Sequence, residues 1–371
     1  MGERGSPSFD CQGPFCHARP MDPNAKPAHE PDRSFLRHFK LRWKFVGLIA
    51  LLFGGGWFAF VRMPGQSFRG TAPPPTEAEL SLESKLAGHL HQLASVIGAR
   101  STSQPAGLER TLVYLEEQLT SYGYRPLRIP YEVDGLTVAN LEVEIIGSQL
   151  PSEIVVVGAH YDAFSSVPGA NDNGSGTAAA LALAERFAGL HCGRTLRFVF
   201  FTNEEPPHFQ RETMGSLVYA RACAKRQENI RAMWSLETVG YYSDDEGSQT
   251  YPIKLLEAAY PTRGNFIAFV GDLSAKGLVR KTVGRFRELT DFPSEAATLP
   301  GAIAGVGWSD HWSFAESGFP ALMVTDTAVF RDPYYHTLED LPERLDTASM
   351  ARVVEGLGAV LAEFIDAETK L

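Results

Sequence analysis

Residues 153–162 read EIVVVGAHYD. Consecutive β-branched and small apolar residues without polar alternation mark a strand buried on both faces, and such strands belong to parallel sheets covered by helices. The run surfaces into His160 and Asp162, residues able to bind a metal or move a proton. Working outward, strand-like runs recur at 138–146, 195–202 (TLRFVFFT), 231–239, 265–270 and 320–325 (PALMVT). Helical segments alternate with them at 174–189, 213–226, 275–290 and 347–366. Upstream, Thr76 and Glu79 form a T-x-x-E capping box opening a helix to about Val96. Leu108, Leu112, Leu115 and Leu119 form the apolar stripe of a second helix that ends at Gly123. The alternation predicts an α/β fold: a mixed, largely parallel twisted sheet with helices on both faces, in one domain over residues 77–371.

The 371 residues are 44% hydrophobic and 21% charged, an ordinary globular composition, with a formal net charge of -10. A chain this acidic offers no overall basic surface to a phosphate backbone, which argues against a nucleic-acid partner. Cys11 and Cys16 lie in a polar tail, and Cys192 and Cys223 near helix ends of the folded region. None forms a C-x-x-C pair, so a cysteine-rich zinc module is not expected. If the domain is exported, Cys192 and Cys223 form a disulfide or remain two separate buried thiols.

Residues 1–44 begin as a Pro-, Gly- and charge-rich tail with no apolar period, expected to be disordered. They end in a basic flank of Arg33, Arg37, Lys40, Arg42 and Lys44. FVGLIALLFGGGWFAFV, from Phe45 to Val61, is apolar on every face and at the short end of the roughly 17–25 residues that span a bilayer. The positive-inside rule leaves the N-terminus cytoplasmic. A cleaved signal peptide competes with this reading, but no A-x-A site follows the run. The expectation is a transmembrane signal anchor over residues 45–62, followed by a Pro-rich linker over 63–76.

In an open α/β sheet, ligands bind beyond the carboxyl ends of the strands. At those exits stand His160 and Asp162, then Asp172 ahead of Asn-Gly-Ser-Gly, then the adjacent pair Glu204 and Glu205, then Glu237. Tyr335 and His336 follow in a late loop. Any one has an ordinary explanation as a loop or capping residue. Together, two imidazoles and several carboxylates on one rim form a mixed nitrogen and oxygen donor set that suits zinc.

The order His-x-Asp, Asp-Asn-Gly-Ser-Gly, Asn-Glu-Glu, a strand-ending acid and Tyr-His-Thr resembles the metal motifs of the M28 zinc peptidases. Ser309-Asp310-His311 and Gly318-Phe319-Pro320-Ala321 also fall where that family's stretches would. The resemblance runs from about Leu80 to the C-terminus. It implies the zinc-dependent exopeptidase fold and two Zn2+ ions bridged by Asp172, with a single ion as the alternative. His160 and Glu237 would complete one ion's ligands, and Glu205 and His336 the other's. Glu204 would be the general base, Asp162 would fix the tautomer of His160, and Tyr335 would donate to the oxyanion. Many members carry Asp where this chain has Glu237, so one ion would be held by a longer side chain.

The implied activity is an aminopeptidase removing N-terminal residues from peptides. The related glutaminyl cyclases, with one zinc, are the alternative, and a non-catalytic binding domain is a further one. Side-chain recognition would fall to segments near Tyr241-Tyr242, Trp308 to Trp312 and Phe330 to Tyr335. A carboxypeptidase would need a basic anchor such as Arg211, Arg263 or Arg331. The glycosylation sequon Asn173-Gly174-Ser175 lies in the metal loop, where a glycan would be damaging. This leans towards a bacterial inner membrane, with the catalytic domain facing the periplasm or cell exterior.

Overall fold

The computed structural model describes Arg42, residues 44–47, Gly55, residues 62–366, Glu368, Thr369 and Leu371. Contacts separate Met1–Gly55 from Gly56–Leu371, and every element named below belongs to the second unit. The expected anchor over 45–62 falls for the most part outside the described residues, and among those described no helix is long and apolar enough to cross a membrane.

An eight-stranded sheet runs in the order β1-β2-β4-β3-β5-β8-β6-β7. Its strands are β1 (Leu127–Val133), β2 (Leu136–Ile145), β3 (Leu150–His160), β4 (Arg194–Phe201), β5 (Asn229–Glu237), β6 (Ile267–Gly271), β7 (Ser294–Thr298) and β8 (Ala321–Thr325). The central strands β4, β3, β5 and β8 are mutually parallel, while β1, β2 and the β6–β8 junction supply the antiparallel pairings. The strand read first, β3, lies between β4 and β5 as its uninterrupted apolar run requires. Val155, Val157 and Ala159 enter one core, and Ile154 and Val156 the other.

Helix α1 (Glu77–Leu90) opens with the expected capping box: Glu79 N donates to Thr76 Oγ1 at 3.1 Å and Thr76 N to Glu79 Oε2 at 2.6 Å. Next comes α2 (Pro105–Ser121), which buries Leu108, Leu112, Leu115 and Leu119. The later helices are α3 (Gly176–Phe187), α4 (Gly215–Lys225), the short α5 (Lys254–Glu257), α6 (Lys276–Leu289), α7 (His311–Glu316) and α8 (Thr347–Ile365). Cys192 and Cys223 are free and buried, each in a different core on either side of the sheet, so they form no disulfide.

Sequence reading missed β1, β7, α5 and α7. Strand β1 is an edge strand carrying Pro130, joined to β2 by a hairpin whose Asp134 and Gly135 have φ of 50° and 81°. Asp-Gly is the strongest short hairpin signal, so this strand was within reach of the pattern. β7 (SEAAT) is too short and too polar to show a strand pattern.

Residues 63–67, expected to be linker, lie against the domain. Met63 is buried in the main core, and Arg287 Nη1 donates to Pro64 O at 3.0 Å.

One close approach seats α2 beside the loop that precedes the site. A Cβ at Gly107 would lie 1.9 Å from the backbone oxygen of Ala99, next to Arg100, whereas a Cβ at Gly88 of α1 would meet nothing within 4 Å. Gly107→Ala is expected to destabilise the protein by about 1–3 kcal/mol through overpacking. Gly88→Ala should gain about 0.5–1 kcal/mol by relieving the entropic cost of a helical glycine. Urea unfolding of both variants against the parent reads the contrast, and coincident midpoints would remove this approach as a constraint.

Candidate metal centre

Because β4, β3 and β5 are parallel neighbours, their carboxyl ends open on one rim. His160 is the last residue of β3 and Glu237 the last of β5, while Glu204 and Glu205 follow β4. Asp172 lies at a kink in the segment Ala170–Ser175 that enters α3, with non-helical backbone angles (φ -105°, ψ 99°), and His336 in the loop between β8 and α8. The tertiary fold brings these residues together. His160 Nε2 stands 3.3 Å from Asp172 Oδ1 and 3.2 Å from Glu237 Oε2. His336 Nε2 stands 3.0 Å from Asp172 Oδ2 and 3.2 Å from Glu205 Oε2. Two triads result, His160–Asp172–Glu237 and Asp172–Glu205–His336, each with its donor atoms within 4.8 Å of one another. Asp172 offers one carboxylate oxygen to each imidazole.

Glu204 stands apart from both triads, with Oε2 3.9 Å from His160 Nε2. Asp162 Oδ1 lies 3.4 Å from His160 Nδ1, and the same carboxylate accepts the backbone N–H groups of Glu204 and Glu205, each at 3.2 Å. One buried side chain therefore orients the β3 exit and the β4 exit together. On the far side of Glu237, Ser309 Oγ donates to its Oε2 at 2.7 Å. Tyr335 and Phe164 both stack on the His336 ring, at centroid distances of 3.9 Å and 4.1 Å.

The electrostatics are those of a site short of positive charge. Burial, and Glu237 and Glu205 after it, push the Glu204 carboxyl far above its usual range. Burial and the Asp172 charge raise Glu205 to about 8, and burial lifts Glu237 as well. Burial opposes the charged form of His336, yet its contacts with Asp172 and Glu205 bring it up to about 10. Asp172 is likewise opposed by burial, but the two imidazoles hold it well below the ordinary carboxylate range. Both ring nitrogens of His160, Nε2 of His336 and Oε1 of Glu205 are buried without a geometrically sound hydrogen bond. Clustered donors left in that condition fit a shared cation, because a buried charge is costly unless it is paired or binds a metal.

Several residues that sequence reading missed hold the loops in place. Arg100 is fully buried and donates to Tyr161 O at 2.8 Å, Gly169 O at 2.5 Å and Pro168 O. Asp340 accepts from Asn171 N at 2.7 Å and Asp172 N at 3.1 Å. Arg100 lies far from the metal motifs in sequence, and although Asp340 follows His336 closely, nothing local announces that it reaches back to Asn171 and Asp172. Asp310 and His311 are buried, and His311 Nε2 is spent on Val306 O at 2.7 Å.

Beside Glu237 and Tyr335 opens an apolar cavity of about 110 Å3, walled by Tyr251, Leu256, Phe266, Met323 and Phe330 with Trp308 among its lining. Tyr241 and Tyr242 do not line it. Of the basic anchors expected for a carboxypeptidase, Arg211 is exposed, and Arg331 is buried with Nε on Gln249 Oε1 at 2.8 Å, its guanidinium 4.5 Å from the Phe266 ring centre and its Nη2 without a hydrogen-bond partner. Arg263 is paired with Glu246 at 2.9 Å.

The chain is similar to several known proteins. Escherichia coli (strain K12) YfbL is 33% identical over 298 residues, covering 78% of this chain and 90% of its own. The Saccharomyces cerevisiae (strain ATCC 204508 / S288c) protein named "Probable aminopeptidase YDR415C" is 28% identical over 235 residues, 60% of this chain and 56% of its own. The chain thus spans nearly all of the first relative and little more than half of the second. In fold it is similar to BSAP, a zinc aminopeptidase from Bacillus subtilis, with a TM-score of 0.62 at 14% identity over 78% of this chain and 96% of that one. The sequence profile of peptidase family M28 matches residues 140–361, a span that contains β3, β4, β5 and both triads, and the chain belongs to that family.

Proposed function

We propose that this chain is a zinc aminopeptidase that takes peptides through their N-terminal residue, with two ions, one in each triad, and Asp172 between them. The observation that carries the reading is the shared Asp172 carboxylate, whose two oxygens face the two imidazoles at 3.3 Å and 3.0 Å. Membership of a peptidase family already makes the chain a hydrolase acting on peptide bonds. Zinc suits a donor set of two imidazoles and carboxylates.

Bound at the triads, zinc would polarise the scissile carbonyl and lower the pKa of a water nearby. The remaining chemistry belongs to the chain. Glu204, beside both triads and in neither, takes the water's proton and delivers it to the leaving amine. Its neighbours favour that role, since burial and nearby carboxylates raise its proton affinity. Asp162 holds Glu204 and Glu205 in their different orientations through their backbone N–H groups. Tyr335, whose ring stacks on His336, would donate a hydrogen bond to the oxyanion, with burial keeping its phenol protonated.

The apolar cavity beside Glu237 and Tyr335 receives the side chain of the N-terminal residue. It favours large apolar residues over charged ones.

Glu204→Gln is expected to keep the zinc content of the parent and lose about 10²–10⁴-fold in kcat, the worth of a general base. Glu205→Gln should instead lower bound zinc itself, read by elemental analysis of the purified proteins. Equal turnover of Glu204→Gln and parent on aminoacyl arylamides would end the mechanism. Chelator treatment should abolish hydrolysis and lower the thermal midpoint together, since a ligand bound only by the folded state stabilises it by mass action. Among arylamides, Leu and Phe should exceed Glu and Lys in kcat/KM by at least tenfold. One zinc per chain with pyroglutamate formed from N-terminal glutamine would replace the peptidase reading with the cyclase.

A further inference from the structure

We propose that Phe164 is a positioning residue for the metal centre: its ring, laid flat on the imidazole of His336, aims that side chain and sets how tightly the Asp172–Glu205–His336 triad holds its ion. The proposal rests on the reading of the two triads as zinc sites. The two histidines are supported by different means. His160 ends a central strand, its side chain is 1% exposed, and Asp162 Oδ1 lies 3.4 Å from its Nδ1, the nitrogen turned away from the triad. His336 stands instead in the loop between β8 and α8, with its side chain 24% exposed. Among the described residues, the polar partners of its ring are the triad's own carboxylates, Asp172 and Glu205. Its backbone has φ 59°, a left-handed conformation that a residue with a Cβ keeps only when its surroundings impose it.

Left to itself, an imidazole turns easily about its last side-chain bond, because torsions onto a planar ring have a broad profile. A metal-binding histidine is ordinarily fixed by a hydrogen bond from its second nitrogen. At His336 flat rings take over that duty. Phe164 lies 4.1 Å from the His336 ring centre at an interplanar angle of 2°, and Tyr335 lies 3.9 Å away at 14°. Two near-parallel rings cannot share one imidazole face at those distances, so they occupy opposite faces. Turning the imidazole would drive its edge into one ring or the other. Nε2 is thereby kept between Asp172 Oδ2 at 3.0 Å and Glu205 Oε2 at 3.2 Å.

Of the two plates, only Phe164 registers His336 against the rest of the domain. Tyr335 is its neighbour in the chain and moves with the same loop. Phe164 belongs to the loop between β3 and α3, which is fastened on both sides of it. Ala163 N donates to Arg100 O at 2.9 Å, Val167 N to Phe164 O at 3.1 Å, and Ser101 Oγ to Ser165 O at 2.7 Å. Further along, the same segment delivers Asp172. One stretch of chain thus gives this triad both an oxygen donor and the plate that aims its nitrogen donor. Tyr335 lines the apolar cavity and Phe164 does not, so a change at 164 spares the walls of that cavity.

Zinc affinity of the full-length chain tests this, read by titrating the metal-free protein with zinc against a chromophoric chelator. Phe164→Leu keeps apolar bulk and removes the flat ring, whereas Phe164→Tyr keeps the ring. Phe164→Leu should bind one of two zinc ions about tenfold more weakly than the parent, the lower end of what ligand-orienting partners contribute. Its other ion, held by the His160 triad, should keep the parent affinity and so report that the variant is folded. Phe164→Tyr should bind both ions as the parent does. Parent affinities in Phe164→Leu, equal weakening of both ions, or the same loss in Phe164→Tyr would each overturn the proposal and leave the zinc aminopeptidase reading standing. A parent that holds a single ion overturns the two-ion reading instead. Phe164 then keeps its role if Phe164→Leu weakens that ion and Phe164→Tyr does not, and loses it if both hold the ion as the parent does.

Discussion

Most of the site depends on one carboxylate. Asp172 is 3% exposed and lies between two imidazoles from opposite ends of the domain, so its position sets where β3, the loop after β8 and the entry to α3 must meet. A buried acidic group surrounded by Glu204, Glu205 and Glu237 would be expensive without cationic partners. The fold answers with imidazoles on one side and with geometry suited to metal on the other. The same arrangement explains why burial and mutual repulsion raise the glutamates while Asp172 alone is held low.

Around that centre the protein uses backbone hydrogen bonding to convert a loop-built site into a rigid one. Arg100 gathers the carbonyls of Tyr161, Pro168 and Gly169, fixing the loop between the β3 exit and Asp172. Asp340 takes the N–H groups of Asn171 and Asp172 from across the cleft. Asp162 ties two strand exits to one carboxylate. Catalytic geometry tolerates little displacement, and a supporting shell built from buried charged groups bonded to main chain keeps it small.

Adjacent glutamates at the end of β4 are divided by this scaffold into different environments. Glu205 faces His336 at 3.2 Å, whereas Glu204 approaches no closer than 3.9 Å to His160. The cavity beside Glu237 and Tyr335 is largely apolar because its walls come from β6, β7, β8 and the loops around Tyr251, Trp308 and Phe330. The cavity and the β3 and β4 exits thus lie on opposite flanks of β5.

The sheet's centre was legible in the sequence because fully buried parallel strands need unbroken apolar runs, and the chemistry-bearing residues follow those runs directly. His160, Glu204, Glu205 and Glu237 could be proposed as neighbours from that alone, since parallel strands open on one rim. The edges were less legible: β7 is short and polar, and α7 has too few residues to show a period. Nothing local marks Arg100 or Asp340, whose partners lie as far as 169 residues away in the chain. Which oxygen of Asp172 faces which imidazole, and that Met63 and Pro64 pack on the domain where a linker was expected, were decided only by tertiary packing. Periodicity reports what a residue does for its own element, while contacts between distant elements depend on how those elements are stacked.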